Sequence, residues 1–455
     1  MGKREGFASS FGVLVAMAGS AVGLGNLWRF PYLVGTNGGA AFIIIYLACV
    51  LVLALPILYS EFIIGRRSQS NVFGAYKKLA PDSKWCNVGF IYVLCSITII
   101  SFYSVVGGWT IDYFVKAATF QFSSASADQL SGMFANTVTS TASPLVYMLV
   151  FLGITALIVL AGVKNGIEKY SKIMMPLLFI LVIVIAIRSV TLENSYAGIE
   201  FLFKPDFSKI TAQTFLDALG QAFFSLSVGS GSILTYASYV SRKENIVKLS
   251  AQTAISDTMF AIVAGVAIMP AVFAFGISPS EGPGLVFVTL PYIFNQLPFG
   301  SFLAVLFFFA LFIAAITSSI SMLEVIVAYL DEDFKLKRRT SIVLSLILIA
   351  TLGVFCSLSR GIMSDVKILG NSIFDLFDKS SANIMLPLGG MIAVIFVGWR
   401  MKKAEYADEI TSGGLVKFSK TTVGIFYFFI KYIAPVVIAT IVIRSLFRLL
   451  FFFCI

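Results

Sequence analysis

The sequence predicts an all-α membrane protein with eleven membrane-spanning helices, and three observations predict it. Of 455 residues, 58% are hydrophobic and only 12% charged, at a mean hydropathy of +0.93. A soluble domain carries about a quarter charged residues, so too little polar surface exists here to cover a water-soluble particle of this size. Apolar runs of about 18 residues or more recur along the whole chain. The basic residues, finally, gather in alternate connecting segments.

The eleven runs are 8–36, 39–65, 87–117, 144–162, 168–189, 214–240, 246–276, 300–331, 340–359, 370–400 and 422–447. The first is no cleavable signal peptide: it holds Asn26 and Arg29, runs too long and lacks a cleavage pattern. With the N-terminus in the cytoplasm, 22 of the 33 Lys and Arg residues fall in cytoplasmic segments, as the positive-inside bias requires. The net charge of +10 is therefore read as orientation, with the bilayer as partner and no nucleic acid. An odd number of spans places the C-terminus outside. Residues 118–143, rich in Ser, Thr and Ala, read as a polar outer loop. Residues 277–299 carry Pro279, Pro283, Pro291 and Pro298 around an apolar Leu285–Val288 stretch. They read either as a surface loop or as a lid folding back towards the membrane.

The chain has no histidine. That excludes Ser-His-Asp and Cys-His triads, His metal sites and His proton relays. Cys49, Cys86, Cys95, Cys356 and Cys454 are scattered, with neither a disulfide framework nor a CxxC metal site. No GKS or GKT phosphate loop occurs, so no nucleotide is expected. An enzyme is not predicted.

Two spans are interrupted alike. The first carries AGSAVGLGNLWRFP (18–31), the sixth QAFFSLSVGSGS (221–232). Each interior glycine weakens a helix by about 1 kcal/mol. Glycine clusters at corresponding places five spans apart point to unwound backbone around a midplane site; the plainer alternative is close packing through small residues. Ionisable residues inside spans are expensive and usually functional. Here they are Arg29, Glu61, Asp257, Glu324 and Asp378, and for Glu61 a structural role is the better reading. In the eighth span ITSSIS (316–321) offers hydroxyls that either bond back to their own helix or ligate a hard monovalent cation.

GSAVGLGNLWRFP, the ITSS run, GQAFFSLSVGSG and KNGIEKYSKIMMP, in this order, closely resemble the neurotransmitter:sodium symporter family, in particular its bacterial eleven-span members that import amino acids. The resemblance runs from Lys3 to about Ile443. It implies the leucine-transporter fold: a single transmembrane domain over 1–455, with two inverted five-helix repeats at 8–189 and 214–400, helix 11 at 422–447, and helices 1 and 6 unwound mid-membrane. It implies a bacterial plasma membrane location and sodium-coupled import of a hydrophobic L-amino acid by alternating access. Monomer and dimer are both compatible with it.

The resemblance also assigns positions. Sodium site 1 corresponds to Ala21, Asn26, Ser225 and Asp257, and sodium site 2 to Gly19, Val22, Ala314, Thr317 and Ser318. The substrate pocket corresponds to Ala21, Gly23, Leu24, Gly25, Ile99, Tyr103, Phe224, Ser225, Ser227, Ser230, Ser318 and Met322. Tyr103 would donate to the substrate carboxylate. Gly23 stands where monoamine carriers have Asp, which suits a substrate bringing its own carboxylate. Ser230 stands where the leucine-transporting pattern has Phe. The void this leaves favours Trp, Tyr or Phe over Leu, Ile or Met, although neighbouring side chains could refill it. Asp257 departs from the Asn of many relatives. The Ser that marks chloride-dependent relatives one turn later corresponds to Ala261, so no chloride requirement is expected. An ungapped reading would put Ser256 in place of Asp257, but the glycine spacing favours Asp257. Arg29 and Asp378 match an outer gate, Arg4 and Glu332 with Tyr239 an inner one, with Asp375 and Asp331 as nearby alternatives. Gly166 and Pro176 suggest local unwinding in the fifth span, or a fixed kink. A Leu/Ile/Met-preferring symporter, and a sodium-dependent sensor or channel of the same fold, are the competing functions.

Overall fold

Apolar length becomes helix wherever glycine and proline permit it. The structure, a computed structural model, describes residues 6–123, 125–277 and 284–451. Regular structure among them is helical, apart from one bridge between Ile368 and Asn371. Nine of the described helices are long and apolar enough to cross a bilayer: Ala40–Ser68, Cys86–Ala118, Ala142–Leu160, Val163–Val190, Ile246–Ala274, Gly300–Asp333, Arg338–Leu358, Ile373–Arg400 and Thr421–Thr440. Ser10–Ala21 and Gly25–Thr36, bent by 49° across a short break, together make a tenth. The expected sixth span is a pair of shorter helices, Ala212–Ser225 and Ser232–Ala237. A count of eleven therefore rests on reading that pair as one crossing.

Proline shapes several spans through one device. It has no N–H, so the carbonyl four residues earlier loses its helical partner. Wide π-type turns occur at Gly25–Arg29, Val50–Ala54, Leu285–Thr289, Ser381–Met385 and Phe429–Ile433. Each lies just before Pro31, Pro56, Pro291, Pro387 or Pro435, and each contains the orphaned carbonyl. The residue preceding the proline then reaches back five positions, as Leu55 does to Val50. The periodicity continues with a local widening instead of a break.

The eighth span is central, with 78% of its most apolar stretch buried, against 22% for the eleventh. It packs along the third span and touches the first, fourth, fifth and ninth. The eleventh presents most of its surface to lipid.

Of the two long connections, one differs from expectation and the other takes one of its two expected forms. Residues 118–143 contain the helix Ala127–Thr139, capped reciprocally by Ser126 and Gln129. Local capping chemistry there overrides a polar composition. Residues 285–295 form an apolar helix with Leu285, Val286 and Phe287 buried, and Phe287 meets Trp109 and Tyr113 edge-on. The segment folds back as the lid reading required; Pro279 and Pro283 lie outside the described residues.

The fifth span is not unwound between Gly166 and Pro176. A wide turn at Val163–Glu168 leads straight into the helix Lys169–Val190. Gly166 serves close packing: a Cβ there would lie 2.1 Å from the Ile158 carbonyl oxygen. Glu168 in this turn holds the start of the first span. It accepts from the Ala8 amide at 2.6 Å, the Ser9 hydroxyl at 2.9 Å and the Lys172 ammonium at 2.6 Å. Hydrogen bonds to a charged group contribute about 1.5–3 kcal/mol. Glu168→Ala is therefore expected to speed amide hydrogen exchange across residues 8–21 about tenfold or more. Unchanged exchange there would show that the clasp holds nothing.

Candidate functional site

The two helix breaks lie against each other, and their freed backbone groups are individually satisfied. The first break is Val22–Leu24, where Val22 turns extended. The second is Leu226–Gly231, with Ser227, Gly229 and Gly231 at positive φ. Ser227 Oγ donates to the Ser20 carbonyl at 2.7 Å and joins the two breaks. Gly229 N donates to Glu61 Oε1 at 2.7 Å, so Glu61 has the structural role expected of it. A Cβ at Gly229 would lie 1.9 Å from the Leu386 carbonyl oxygen, which requires glycine there. Gly23 N donates to Asn26 Oδ1 at 3.0 Å, Leu24 N to Tyr103 OH at 3.2 Å, and Gln221 Nε2 to the Gly25 carbonyl at 2.9 Å. Irregular backbone at membrane depth survives only with such partners.

Between the breaks is a narrow cavity of about 20 Å³, room for about one water molecule as the walls stand. Ala21, Gly23, Gly25, Ile99, Tyr103, Phe224, Ser227, Ser230, Ser318 and Met322 line it, together with Leu386. Of the expected substrate positions, Leu24 and Ser225 are not among these lining residues. Leu24 contributes its amide to Tyr103, and Ser225 faces Asp257. Tyr103 accepts from Leu24, so its own O–H remains available to donate into the cavity. A Cβ at Gly23 would lie 2.4 Å from Ser318 Oγ and 3.0 Å from Tyr103 OH. No side chain fits there as the walls stand. Ser230 is folded down onto the break, donating to the Ser227 carbonyl at 2.7 Å.

Beside the cavity, Asn26, Ser225 and Asp257 form one polar cluster. Asn26 Nδ2 reaches Asp257 Oδ1 at 2.8 Å and Ser225 Oγ at 3.0 Å; Ser225 Oγ donates to Asp257 Oδ2 at 2.7 Å. Tyr46 OH donates to the same Oδ2 at 3.4 Å. Asp257 is fully buried, and no Lys or Arg among the described residues pairs with it within 4.0 Å. A buried carboxylate with no cation partner is costly, which suits a site that takes a cation from outside. Ser256 does not join the cluster. Ala21, buried, lines the neighbouring cavity.

The second oxygen cluster lies between the first and eighth spans. Thr317 Oγ1 and Ser318 Oγ lie 3.5 and 3.4 Å from the Val22 carbonyl oxygen. Both also approach the Ala314 carbonyl, at 3.1 and 3.5 Å. Gly19 packs directly against Thr317, where a Cβ would lie 3.4 Å from the Thr317 Cβ. Val22 O has lost its helical donor at the break and points at the hydroxyls. All five positions assigned to sodium site 2 thus come together.

The gates are brought together unequally. The Arg29 guanidinium lies 5.1 Å from the Phe224 ring centre, and its Nη1 is buried without a hydrogen bond. No ion pair within 4.0 Å joins it to Asp378 among the described residues. Asp375 is engaged by Arg360 at 2.7 Å and by Ser372, so it does not serve Arg29. At the other end Glu332 accepts from the Asn71 amide at 2.9 Å and from Ser70 Oγ at 3.2 Å; Arg4 lies outside the described residues. Tyr239 donates to Glu324 at 2.7 Å. Glu324, in turn, pairs with Arg338 at 2.6 Å, and Arg338 with Asp331 at 3.7 Å.

Sequence reasoning missed Leu386, Tyr46, Gln221 and Glu168. Tyr46 and Gln221 carry a usable signal, polar groups inside apolar runs. Leu386 carries none.

A profile of the sodium:neurotransmitter symporter family matches residues 4–131 and 129–451. The uncharacterized sodium-dependent transporter YhdH of Bacillus subtilis is 40% identical over 95% of each chain. The uncharacterized sodium-dependent transporter MJ1319 of Methanocaldococcus jannaschii is 32% identical over 96% of this chain and 88% of its own. The crystal structure of MhsT in complex with L-phenylalanine superposes with a TM-score of 0.90 at 42% identity, covering 97% of this chain and 100% of that one. With matched motifs, two broken helices and near-complete coverage, the chain belongs to the sodium:neurotransmitter symporter family and is a sodium-dependent membrane transporter, not an enzyme.

Proposed function

We propose that the protein imports a hydrophobic L-amino acid together with sodium, by alternating access between two inverted five-helix repeats in a bacterial plasma membrane, with the N-terminus cytoplasmic. The observation that carries the reading is the cavity between the two breaks. Gly23 leaves no room for a side-chain carboxylate. The remaining polar groups, Tyr103 O–H and the backbone of the first break, suit a substrate that brings its own. Sodium enters as a co-transported substrate at two sites. At the first, Ala21 O, Asn26, Ser225 and Asp257 supply oxygens, with Asp257 as a fixed anion that makes chloride dispensable. At the second, the Gly19, Val22 and Ala314 carbonyls act with Thr317 and Ser318. Hard monovalent cations accept such oxygen sets, and an unwound helix supplies the carbonyls. Release then requires the Glu324–Arg338 network and the Glu168 clasp to give way at one end. Arg29 and Asp378 would close the other, with Tyr103 and Phe224 beneath them.

The substrate is aromatic before aliphatic, because Ser230 puts a small side chain, folded onto its own backbone, where the leucine-transporting pattern has Phe. L-phenylalanine occupies MhsT, which supports the same class. Competition against labelled tryptophan uptake by all twenty amino acids tests the ranking. Trp, Tyr and Phe are expected to displace it at concentrations about tenfold below Leu, Ile and Met, a difference of about 1.4 kcal/mol. Ser230→Phe should refill the space and reverse the order. Equal competition by Leu in the wild type would sink the aromatic preference and favour an aliphatic carrier.

A further inference from the structure

The eleventh span carries one cation well inside its apolar stretch, Lys431. Its ammonium lies over three rings, 5.0 Å from Trp399 and 5.6 Å from both Tyr427 and Tyr432. Ring faces attract a cation but leave its charge and its N–H donors unsatisfied. No carboxylate lies within 4.0 Å and no hydrogen-bond acceptor faces it among the described residues. The cage is held rigid from below. Pro435 orphans the Lys431 carbonyl, and the Trp399 indole N–H donates to it at 2.9 Å. Tyr427 OH donates to the Gly398 carbonyl at 2.9 Å.

Depth and surroundings identify what is missing. A Cβ at Gly398 would lie 2.8 Å from Lys431 Cα, so Lys431 stands level with the last turn of the tenth span, which ends at Arg400. Trp399 is 62% exposed on the outer face of the bundle, where indoles mark the headgroup level of a bilayer. Exposed Arg400 and Lys403 follow at once, with the Lys403 ammonium 5.7 Å from the Tyr427 ring. Neither has an anionic partner among the described residues. Lys431 and Lys403 thus share one aromatic platform through the Tyr427 ring, and the exposed Arg400 directly follows its Trp399.

We propose that Lys431, Arg400 and Lys403 seat the phosphodiester headgroup of an anionic phospholipid, with its acyl chains lying along the eleventh span. The phosphate oxygens accept from the cations, while Trp399 and Tyr432 flank the glycerol at headgroup depth. A zwitterionic lipid is disfavoured because its own ammonium meets the same three charges. Basic sites between spans are suited to such headgroups. The inference is independent of the transported substrate.

Native mass spectrometry of the full-length protein tests it, with phosphatidylglycerol, phosphatidylcholine of the same chains, or glycerol 3-phosphate added. Phosphatidylglycerol adducts are expected to persist where phosphatidylcholine adducts are lost. Lys431→Met should lower their retention about fivefold, and Lys431→Arg should preserve it. The exposed pair Arg400→Gln with Lys403→Gln, which touches no packed core, should also lower it severalfold, so the test holds even if Lys431→Met fails to fold. Equal retention of the two lipids by the wild type would overturn the proposal. So would wild-type retention by Lys431→Met, or displacement of the lipid by glycerol 3-phosphate at matching concentration.

Discussion

Asp257→Asn is expected to lower the apparent sodium affinity of uptake about ten- to hundredfold, the range typical of losing a hydrogen-bonded partner at a metal site. Asp257 accepts from Asn26, Ser225 and Tyr46 and has no protein cation beside it. The substitution keeps the shape but removes the charge that sodium would neutralise. It also turns an acceptor into an amide whose NH2 faces Ser225 or Asn26, both already donors to this carboxylate. Wild-type uptake should be unchanged when chloride is replaced by gluconate, because the fixed carboxylate stands in for a mobile anion. Sodium-dependence curves for both proteins, each with and without chloride, check this. Strong chloride dependence of the wild type would refute the assignment of Asp257, and an unaltered sodium affinity in the variant would leave it a structural hydrogen-bonding group.

Gly23→Ala is expected to raise the substrate concentration for half-maximal uptake about 5- to 150-fold. The new Cβ would lie 2.4 Å from Ser318 Oγ, closer than side chains tolerate, and overpacking of this kind costs about 1–3 kcal/mol. The affected wall is the one against which the substrate carboxylate would rest. Adding Ser318→Gly removes the clashing hydroxyl. It should restore steric room, yet leave sodium site 2 short of one ligand. Substrate titrations at saturating and at limiting sodium separate the two effects. An alanine at 23 that transports like the wild type would mean that the substrate does not lie against Gly23.

Much of this was legible because the relevant signals are local. Run length predicts the spans, and Gly19, Gly23 and Gly25 with Gly229 and Gly231 predict the two breaks, since glycine acts on its own backbone. Other features depend on partners far along the chain. Glu61 was recognisable as a buried carboxylate, but its partner, the Gly229 amide, lies 168 residues away. Glu168 looks like an ordinary charge near a span end until the Ala8 amide and the Ser9 hydroxyl close on it. Leu386 reaches the cavity only because Gly229 lets its backbone approach. The helix Ala127–Thr139 was hidden because polar composition says loop, whereas the reciprocal cap of Ser126 and Gln129 says helix. Gly166 and Pro176 fit local unwinding or a fixed kink equally in sequence, but a single missing hydrogen bond at Pro176 does not break an otherwise apolar helix.

Coupling of substrate movement to sodium is read directly from uptake into liposomes. Purified protein is reconstituted in sealed liposomes, and labelled phenylalanine or tryptophan is followed with an inward sodium gradient and no chloride. Saturable accumulation above the external concentration is expected, and it should collapse when gramicidin dissipates the gradient or when sodium is replaced by potassium. Accumulation that persists without the sodium gradient would contradict it, as would non-saturating flux that only equilibrates, the behaviour of a channel. Sodium-dependent binding with no accumulation would mark a sensor of the same fold and contradict it equally.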